Sequence, residues 1–247
     1  MKISIIIPSF NQLQLLDECL SALSMQTFTS FEIIVVDGGS KNLDHFSLRQ
    51  NFKTVKIISE PDKNVYDAMN KGIALSEGDW LYFMGVDDNF CDFNILKSVA
   101  PFLDEKKIKI LSGQIVYKFN DEDSFLIRRD NGLVKPVWSS KIWFKNTLPH
   151  QGMFYHKTIF LKHRYDIKYD VLADYALNLK LWKSRTPILI LDKKIAFCGT
   201  KGLSKNFNLK LYKEEIALKT EVTSMLLKPF FTILAMFKFC LKNFRIG

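Results

Sequence analysis

The strongest constraint on this chain is a set of short, near-continuous apolar runs separated by stretches of helical spacing. Residues 3–8 (ISIIIP), 31–36 (FEIIVV), 55–59 (VKIIS) and 80–83 (WLYF) each have strand length and little polar alternation. Such runs suit strands buried on both faces, which is how parallel sheets with helices on either side are built. Between them, Leu13, Leu16, Leu20 and Leu23 recur at helical spacing, with Asn11 expected as the N-cap. Residues 64–75 predict a second helix, with Asn64 as its cap and Glu77-Gly78 closing it. The pattern predicts an α/β fold around a mostly parallel central sheet. In such sheets ligands bind beyond the carboxyl ends of the strands, so Ser9, Asn11, Asp37, Asp87 and Asp88 are expected on one rim.

The second half is less regular. Residues 109–128 suggest two short strands about a polar turn at 120–123, and 130–150 read as loop containing Trp138 and Trp143. Residues 152–156 and 188–197 read as strands, and 174–183 as a helix. Cys19, Cys91, Cys198 and Cys240 lie far apart, without zinc-finger spacing, so a disulfide framework or structural zinc site is not expected and a reducing cytosol is. The first apolar run is too short for a signal-peptide core, and no stretch in residues 1–200 approaches the roughly 20 residues of a membrane span.

The turn after the first run, Pro8-Ser9-Phe10-Asn11-Gln12, has no glycine, which removes the dinucleotide fingerprint, and no Walker phosphate loop is present. What remains is a carboxylate at the end of the second strand and a pair, Asp87-Asp88, at the end of the fourth. An adjacent pair can divide its work between hydrogen bonding a ligand and binding Mg²⁺ or Mn²⁺, which takes one or two protein carboxylates and completes its shell with substrate phosphates and water. Read alone, Asp-Asp-Asn is equally a turn.

The segments SIIIPSFNQ (4–12), VVDGGS (35–40), VYDAMNKGIALSEGDW (65–80) and FMGVDD (83–88) occur in that order. Together they resemble glycosyltransferase family 2 enzymes of the GT-A fold, close to the branch acting in bacterial polysaccharide assembly. The resemblance covers residues 1–90 most strongly and resumes at LPHQGMFYHK (148–157), ADYALNLKLW (173–182) and GTKGLS (199–204). It implies that Pro8, Ser9 and Asn11 line a nucleotide pocket, that Asp37 holds the base or ribose, and that Asp62 lies near the base. It further implies nucleotide-sugar contacts at Asp67, Asn70 and Lys71, a ribose or sugar contact at Asp87, and Mn²⁺ or Mg²⁺ on Asp88. His150 and Gln151 match a motif facing the donor phosphates or the acceptor. Asp174 matches the position of the catalytic base that takes a proton from the acceptor hydroxyl. Each has a plainer reading: Asp67 and Lys71 as an i,i+4 ion pair, Asp174 as a helix N-cap, His150 as a structural imidazole. Relatives often carry Arg where Met69 stands, and Met69 and Ile73 read as core. Lys201, Ser204 and Lys205 suit a flap closing on the diphosphate, or a solvated basic loop.

The implied activity is inverting, metal-dependent transfer of a sugar from a nucleoside-diphosphate sugar to a saccharide, lipid-linked in a surface-polysaccharide pathway. The rivals are a nucleotidyltransferase making nucleotide sugars and a non-catalytic membrane-associated scaffold. The expected division is a catalytic domain at 1–204, with a nucleotide-sugar half at 1–90 and an acceptor half at 91–204, followed by a basic amphipathic helical tail at 205–247. Net charge supports a distinct tail: the chain is +9 overall, and residues 201–247 hold nine Lys/Arg against three Glu. Residues 225–247, dense in Phe, Leu, Ile and Met and containing Lys228, Lys238, Lys242 and Arg245, suit peripheral contact with the inner face of a cytoplasmic membrane. The alternative is packing on the body or on a second copy in a homodimer. Nucleic acid is not expected, because no recognition motif accompanies the charge.

Overall fold

The computed structural model describes residues 1–41, 52, 55–105, 107–119, 129–200 and 209–243. Lys201, Ser204, Lys205, the turn at 120–123 and residues 244–247 lie outside that set.

Each apolar run becomes a strand: β1 (Ile3–Ser9), β2 (Phe31–Asp37), β3 (Val55–Ser59) and β4 (Trp80–Phe83) pair in parallel in the order β3-β2-β1-β4. Side chains that alternate along a strand feed two different cores. Ile3, Ile5 and Ile7 join Val35 and Tyr82 on one face, while Ile6 joins Ile34, Leu81 and Phe83 on the other. That is why these strands carry apolar residues at nearly every position. Helix α1 (Leu13–Ser24) buries Leu16, Leu20 and Leu23 in the first core. Helix α2 (Val65–Leu75) packs on the second, so close that a Cβ on Gly72 would meet Ile6 at 2.4 Å. Asn64 caps α2 as expected, accepting from the backbone N–H groups of Tyr66 and Asp67 at 3.1 Å.

The cap expected for α1 is corrected. Gln12 occupies the N-cap position without a side-chain bond, and Asn11 adopts a left-handed conformation with φ 53°. Asn tolerates that region better than most residues, and its own N–H donates to Ser40 Oγ at 2.6 Å. Asn11 therefore shapes the turn instead of ending the helix.

Beyond β4 the sheet continues through β8 (Met153–His156), β6 (Ile110–Tyr117), β9 (Ile188–Cys198) and β5 (Asn89–Phe90), with β7 (Leu133–Val134) beside β6. β1, β2, β3, β4, β6 and β9 share one direction, and β5, β7 and β8 oppose it. Helix α3 (Ile95–Leu103) covers the first core; Pro101 in its last turn hides it from a reading of breaker residues. Short α4 (Thr158–Lys162), α5 (Ala173–Lys183) and α6 (Leu209–Val222) cover the second, where Leu177, Leu179, Leu181 and Leu218 are buried.

Helix α7 (Lys228–Asn243) lies against α6, with the Tyr212 and Phe239 rings edge to face at 5.5 Å. Helix α6 is tied to the body. Glu221 accepts from the hydroxyl of Tyr169 at 2.9 Å, and Lys183 donates to the carbonyl of Val222 at 2.8 Å.

Candidate active site

β1 and β4 end side by side, and the chain leaving β4 turns at once through Gly85-Val86-Asp87-Asp88. This turn forms one wall of a cleft of about 490 Å³. Pro8, Asp87, Asp88, His150, Gln151 and Asp174 all line it, so three of the predicted carboxylates share one hollow.

Asp88 is 2% exposed, and its two oxygens accept from the backbone N–H groups of Gly85 at 2.9 Å and Gly199 at 3.3 Å. Burial, and then the neighbouring Asp87 charge, push its pKa up to about 6 despite those two bonds. Asp87 presses against the same glycines: a Cβ on Gly199 would stand 1.9 Å from its Oδ2, and one on Gly85 3.0 Å from its Oδ1. The carboxylate pair thus occupies a cradle that only hydrogen leaves open. Among the described residues no three His, Cys, Asp or Glu side chains gather as a metal cage. Two carboxylates without a third ligand fit Mg²⁺ or Mn²⁺ completed by phosphate oxygens and water, and do not fit a closed structural metal site.

Asp174, which lines the same cleft, lies in the first turn of α5, whose N-cap position is taken by Leu172 without a side-chain bond. The N-cap reading therefore fails, and the carboxylate is turned to other partners. Asn146 Nδ2 donates to its Oδ2 at 3.0 Å, and Tyr66 Oη stands 3.2 Å from its Oδ1. The phenol also donates to the Val171 carbonyl at 2.6 Å, so one hydroxyl proton lies between two acceptors. Asn146 is itself fixed by the buried Asn178, which accepts from Tyr155 Oη at 3.0 Å.

The loop leading into α5 is held from the other side by Glu214 of α6. Its carboxylate accepts the backbone N–H groups of Asp170 at 2.9 Å, Val171 at 3.0 Å and Leu172 at 3.1 Å. The last of these belongs to the N-cap residue, whose N–H a helix start leaves without an intrahelical partner. The helix read from sequence as a tail therefore fastens the loop that carries Asp174.

His150 is partly buried against the Phe83 ring at 5.4 Å, with Nε2 3.2 Å from Tyr165 Oη. Burial lowers its pKa, which the Asp174 charge only partly opposes, so a neutral imidazole faces the cleft at neutral pH. Lys135, Lys145 and Thr147 also line the cleft and bring positive charge and a hydroxyl to it.

The remaining predicted residues lie outside the cleft lining. Asp37 is fully buried, and its carboxylate accepts from Gly39 N at 3.1 Å, Ser40 N at 2.8 Å and the hydroxyls of Ser40 and Ser59. Burial pushes its pKa up, but those four donors outweigh it and hold the group below the usual carboxylate range. Ser9, its neighbour across the β1–β2 register, is buried with a hydroxyl that has no partner among the described residues. Asn70 bridges to the backbone of Tyr165, donating to its carbonyl at 2.8 Å and accepting from its N–H at 3.0 Å, which is a scaffold role. Asp67 accepts from Lys63 N at 3.1 Å and lies 3.8 Å from Lys71, whose closer partners are Asp62 at 2.6 Å and Glu60 at 3.0 Å. Ile73 is core; Met69 packs on the core and also reaches the cleft. Trp138 stacks edge-on with Trp182 at 5.0 Å, and Trp143 packs against the second core.

Sequence reasoning did not single out Tyr66, Asn146, Lys135, Lys145 or Glu214. Tyr66 lies inside a recognised motif and Asn146 two residues before another, so proximity was their only signal. Glu214 carried none.

The parallel half-sheet ends in a carboxylate pair, a third carboxylate lines the same cleft from a helix start, and solved structures of the GT-A fold agree with the architecture. Staphylococcus aureus TarS 1–349 in complex with UDP-GlcNAc superposes with a TM-score of 0.69 over 90% of this chain and 66% of that one, at 20% identity. The mannosyltransferase PcManGT from Pyrobaculum calidifontis, in complex with GDP-Man and Mn²⁺, gives 0.60 over 100% of this chain and 76% of that one, at 14% identity. This chain spans 39% of the longer TarS crystal structure. The chain belongs to glycosyl transferase family 2, whose family model matches residues 4–168. A Mycobacterium tuberculosis PGL/p-HBAD biosynthesis glycosyltransferase is 33% identical over 187 residues, covering 73% of this chain and 70% of that protein.

Proposed function

We propose that this glycosyltransferase moves one sugar, with inversion, from a nucleoside-diphosphate sugar to a saccharide hydroxyl carried on a lipid in bacterial surface-polysaccharide assembly. The observation that carries the reading is that the Asp87-Asp88 pair and Asp174, drawn from distant parts of the chain, line one cleft together with Lys135, Lys145 and His150. A single displacement needs a base on one side of the anomeric carbon and charge stabilisation for the diphosphate on the other.

In this reading Asp174 accepts the acceptor hydroxyl proton as that oxygen bonds to the anomeric carbon. The bond from that carbon to the diphosphate breaks, and the nucleoside diphosphate leaves with the bonding electrons. Tyr66 and Asn146 hold the Asp174 carboxylate in position throughout. Asp88, with Asp87 beside it, would hold Mn²⁺ or Mg²⁺, which supplies Lewis-acid stabilisation of the leaving diphosphate. Lys135 and Lys145 face the same charge. Asp37, Ser9 and Asn11 would sit at the nucleoside end, where the buried Ser9 hydroxyl, without a partner among the described residues, would bond the nucleoside. The mycobacterial relative, named for PGL/p-HBAD biosynthesis, and the UDP-GlcNAc and GDP-Man complexes of the structural neighbours support this donor and acceptor chemistry.

The test is calorimetry of UDP, GDP and dTDP with and without Mn²⁺, followed by transfer from the matching nucleotide sugar. Binding of one diphosphate that strengthens with Mn²⁺ and disappears in Asp88→Ala is the expected result. Failure of every nucleotide to bind sinks the reading. Pyrophosphate release from a nucleoside triphosphate and a sugar phosphate would replace it with the nucleotidyltransferase.

A further inference from the structure

Helix α7 buries apolar residues on its inner side, like an ordinary surface helix, but turns a second apolar face outward where such a helix shows charges to water. Its inner side holds Phe231 and Ala235, both buried, together with Lys238, whose ammonium pairs with Glu215 and with the Phe144 carbonyl. Its outer side presents Phe230, Ile233, Met236, Phe237 and Leu241, each at least 45% exposed. At 100° per residue these span about 140° of the helix circumference without a charged side chain between them. The corner before α7 extends the surface: Met225, Leu226 and Leu227 are 70%, 89% and 44% exposed.

We infer that the outer face of α7 and the 225–227 corner dock on an anionic lipid surface. Three observations favour lipid over a second copy of the chain. First, residues 225–247 contain no Asp or Glu and three basic residues, Lys228, Lys242 and Arg245, besides the paired Lys238, which matches a negatively charged bilayer and opposes pairing of this segment with itself. Second, Lys228 and Lys213 line a hollow between α6 and α7 beside this face; Glu221, the acid lining the same hollow, is already paired with Lys168 and Lys180. Third, the apolar arc is broader than the narrow seam through which two helices zip together. Insertion is shallow, because among the described residues no helix is long and apolar enough to cross a membrane.

The seat is mechanically joined to the cleft. Lys238 and Lys219 both reach the Phe144 carbonyl, and Lys145, Asn146 and Thr147 follow directly on the cleft wall. A lipid-borne acceptor would then meet the acceptor side of the site. This last link rests on the proposed acceptor; the lipid seat itself does not.

The test is flotation of the full-length chain with phosphatidylcholine vesicles carrying or lacking phosphatidylglycerol, alongside transfer to a soluble acceptor sugar. Wild-type protein should float with the anionic vesicles at 0.1 M salt. The exposed-site variant Ile233→Glu/Phe237→Glu should partition about tenfold or more weakly, with unchanged circular dichroism and melting. Lys228→Glu should lose mainly the preference for anionic lipid. Transfer to the soluble acceptor should be equal in all three, which keeps failure of the seat distinct from failure of the catalytic reading. No flotation, flotation unchanged in the double variant, or a wild-type dimer in sedimentation that the double variant dissolves would each overturn the inference.

Discussion

Asp88 and Asp174 face the same cleft but are held by opposite means. Asp88 is fixed by backbone: the Gly85 N–H three residues away, and the Gly199 N–H where β9 ends. Asp174 is fixed by side chains drawn from far along the chain, Asn146 at a separation of 28 residues and Tyr66 at 108, with its loop clamped by Glu214. A backbone cradle is rigid and tolerates almost no added volume. A side-chain scaffold can be loosened one contact at a time. The two halves of the site should therefore fail differently when mutated.

The largest effects test the posts themselves. Asp174→Asn keeps the shape and both neighbours but cannot take a proton, so kcat should fall by about 10²–10⁴ with nucleotide affinity unchanged. Asp88→Ala should instead abolish the Mn²⁺ enhancement of nucleotide binding, with kcat lower by about 10²–10³. Equal losses of binding in both variants would show that the two carboxylates do not divide the work.

Next in size is the cradle. Gly199→Ala places a methyl carbon 1.9 Å from Asp87 Oδ2 if nothing moves, and the carboxylate must rotate or the β9 end must retreat. A displacement of about 1 Å at a reacting centre can cost up to about 100-fold in rate, and the loss should appear in the metal dependence. Titrating activity against Mn²⁺ measures it. An alanine variant with the wild-type Mn²⁺ optimum and rate would show that the cradle is slack.

The scaffold around Asp174 should yield more gradually. Glu214→Ala leaves the N–H groups of Asp170, Val171 and Leu172 without their acceptor, and each loses a charge-assisted bond. Chemical denaturation should show a loss of about 1–3 kcal/mol, since water can reach part of this loop and replace some of what is lost. The kinetic signature should be a lower kcat with nucleotide binding intact, because Asp88 and its cradle are untouched. A drop in nucleotide affinity equal to the drop in kcat would contradict the division between the two posts.

The same contrast explains what the sequence revealed. The Asp87-Asp88 turn is local: four consecutive residues after an apolar run define it, and a strand-end carboxylate pair is readable from their order. Strands β1, β2 and β4 are legible for the same reason, as their doubly buried faces leave almost no polar residue to confuse the period. The surroundings of Asp174 are non-local, and nothing in a Lys-rich helix distinguishes Glu214 from a solvated acid until the fold brings it under the α5 loop. Local rules also misled where they competed. Asn11 is a good N-cap residue and a good left-handed residue, and the sharp exit from β1 used the second property. Asn70 sits in a recognised motif yet spends both ends of its amide on the Tyr165 backbone, an engagement 95 residues away.

The smallest predicted effect concerns His150, which lines the cleft that the two posts share. Its pKa is depressed because burial penalises the imidazolium more than the Asp174 charge favours it. The unfolded chain, with an imidazole pKa near 6.5, binds a proton that the folded cleft refuses. Stability is therefore fully present above pH 6.5 and declines as pH falls below it, with a slope of up to about 1.4 kcal/mol per pH unit for one such group. His156 and His163 are also depressed by burial and add to the wild-type slope, so only the difference between proteins isolates His150. His150→Gln, measured by urea denaturation at pH 5.5 and 7.5, should remove part of the acid sensitivity while leaving the part due to the other two. If the variant and the wild type lose the same stability on acidification, the imidazole is already free to protonate in the folded cleft. His150 would then meet a bound diphosphate as a cation, and the protein's own positive charge in the cleft lining would no longer come from Lys135 and Lys145 alone.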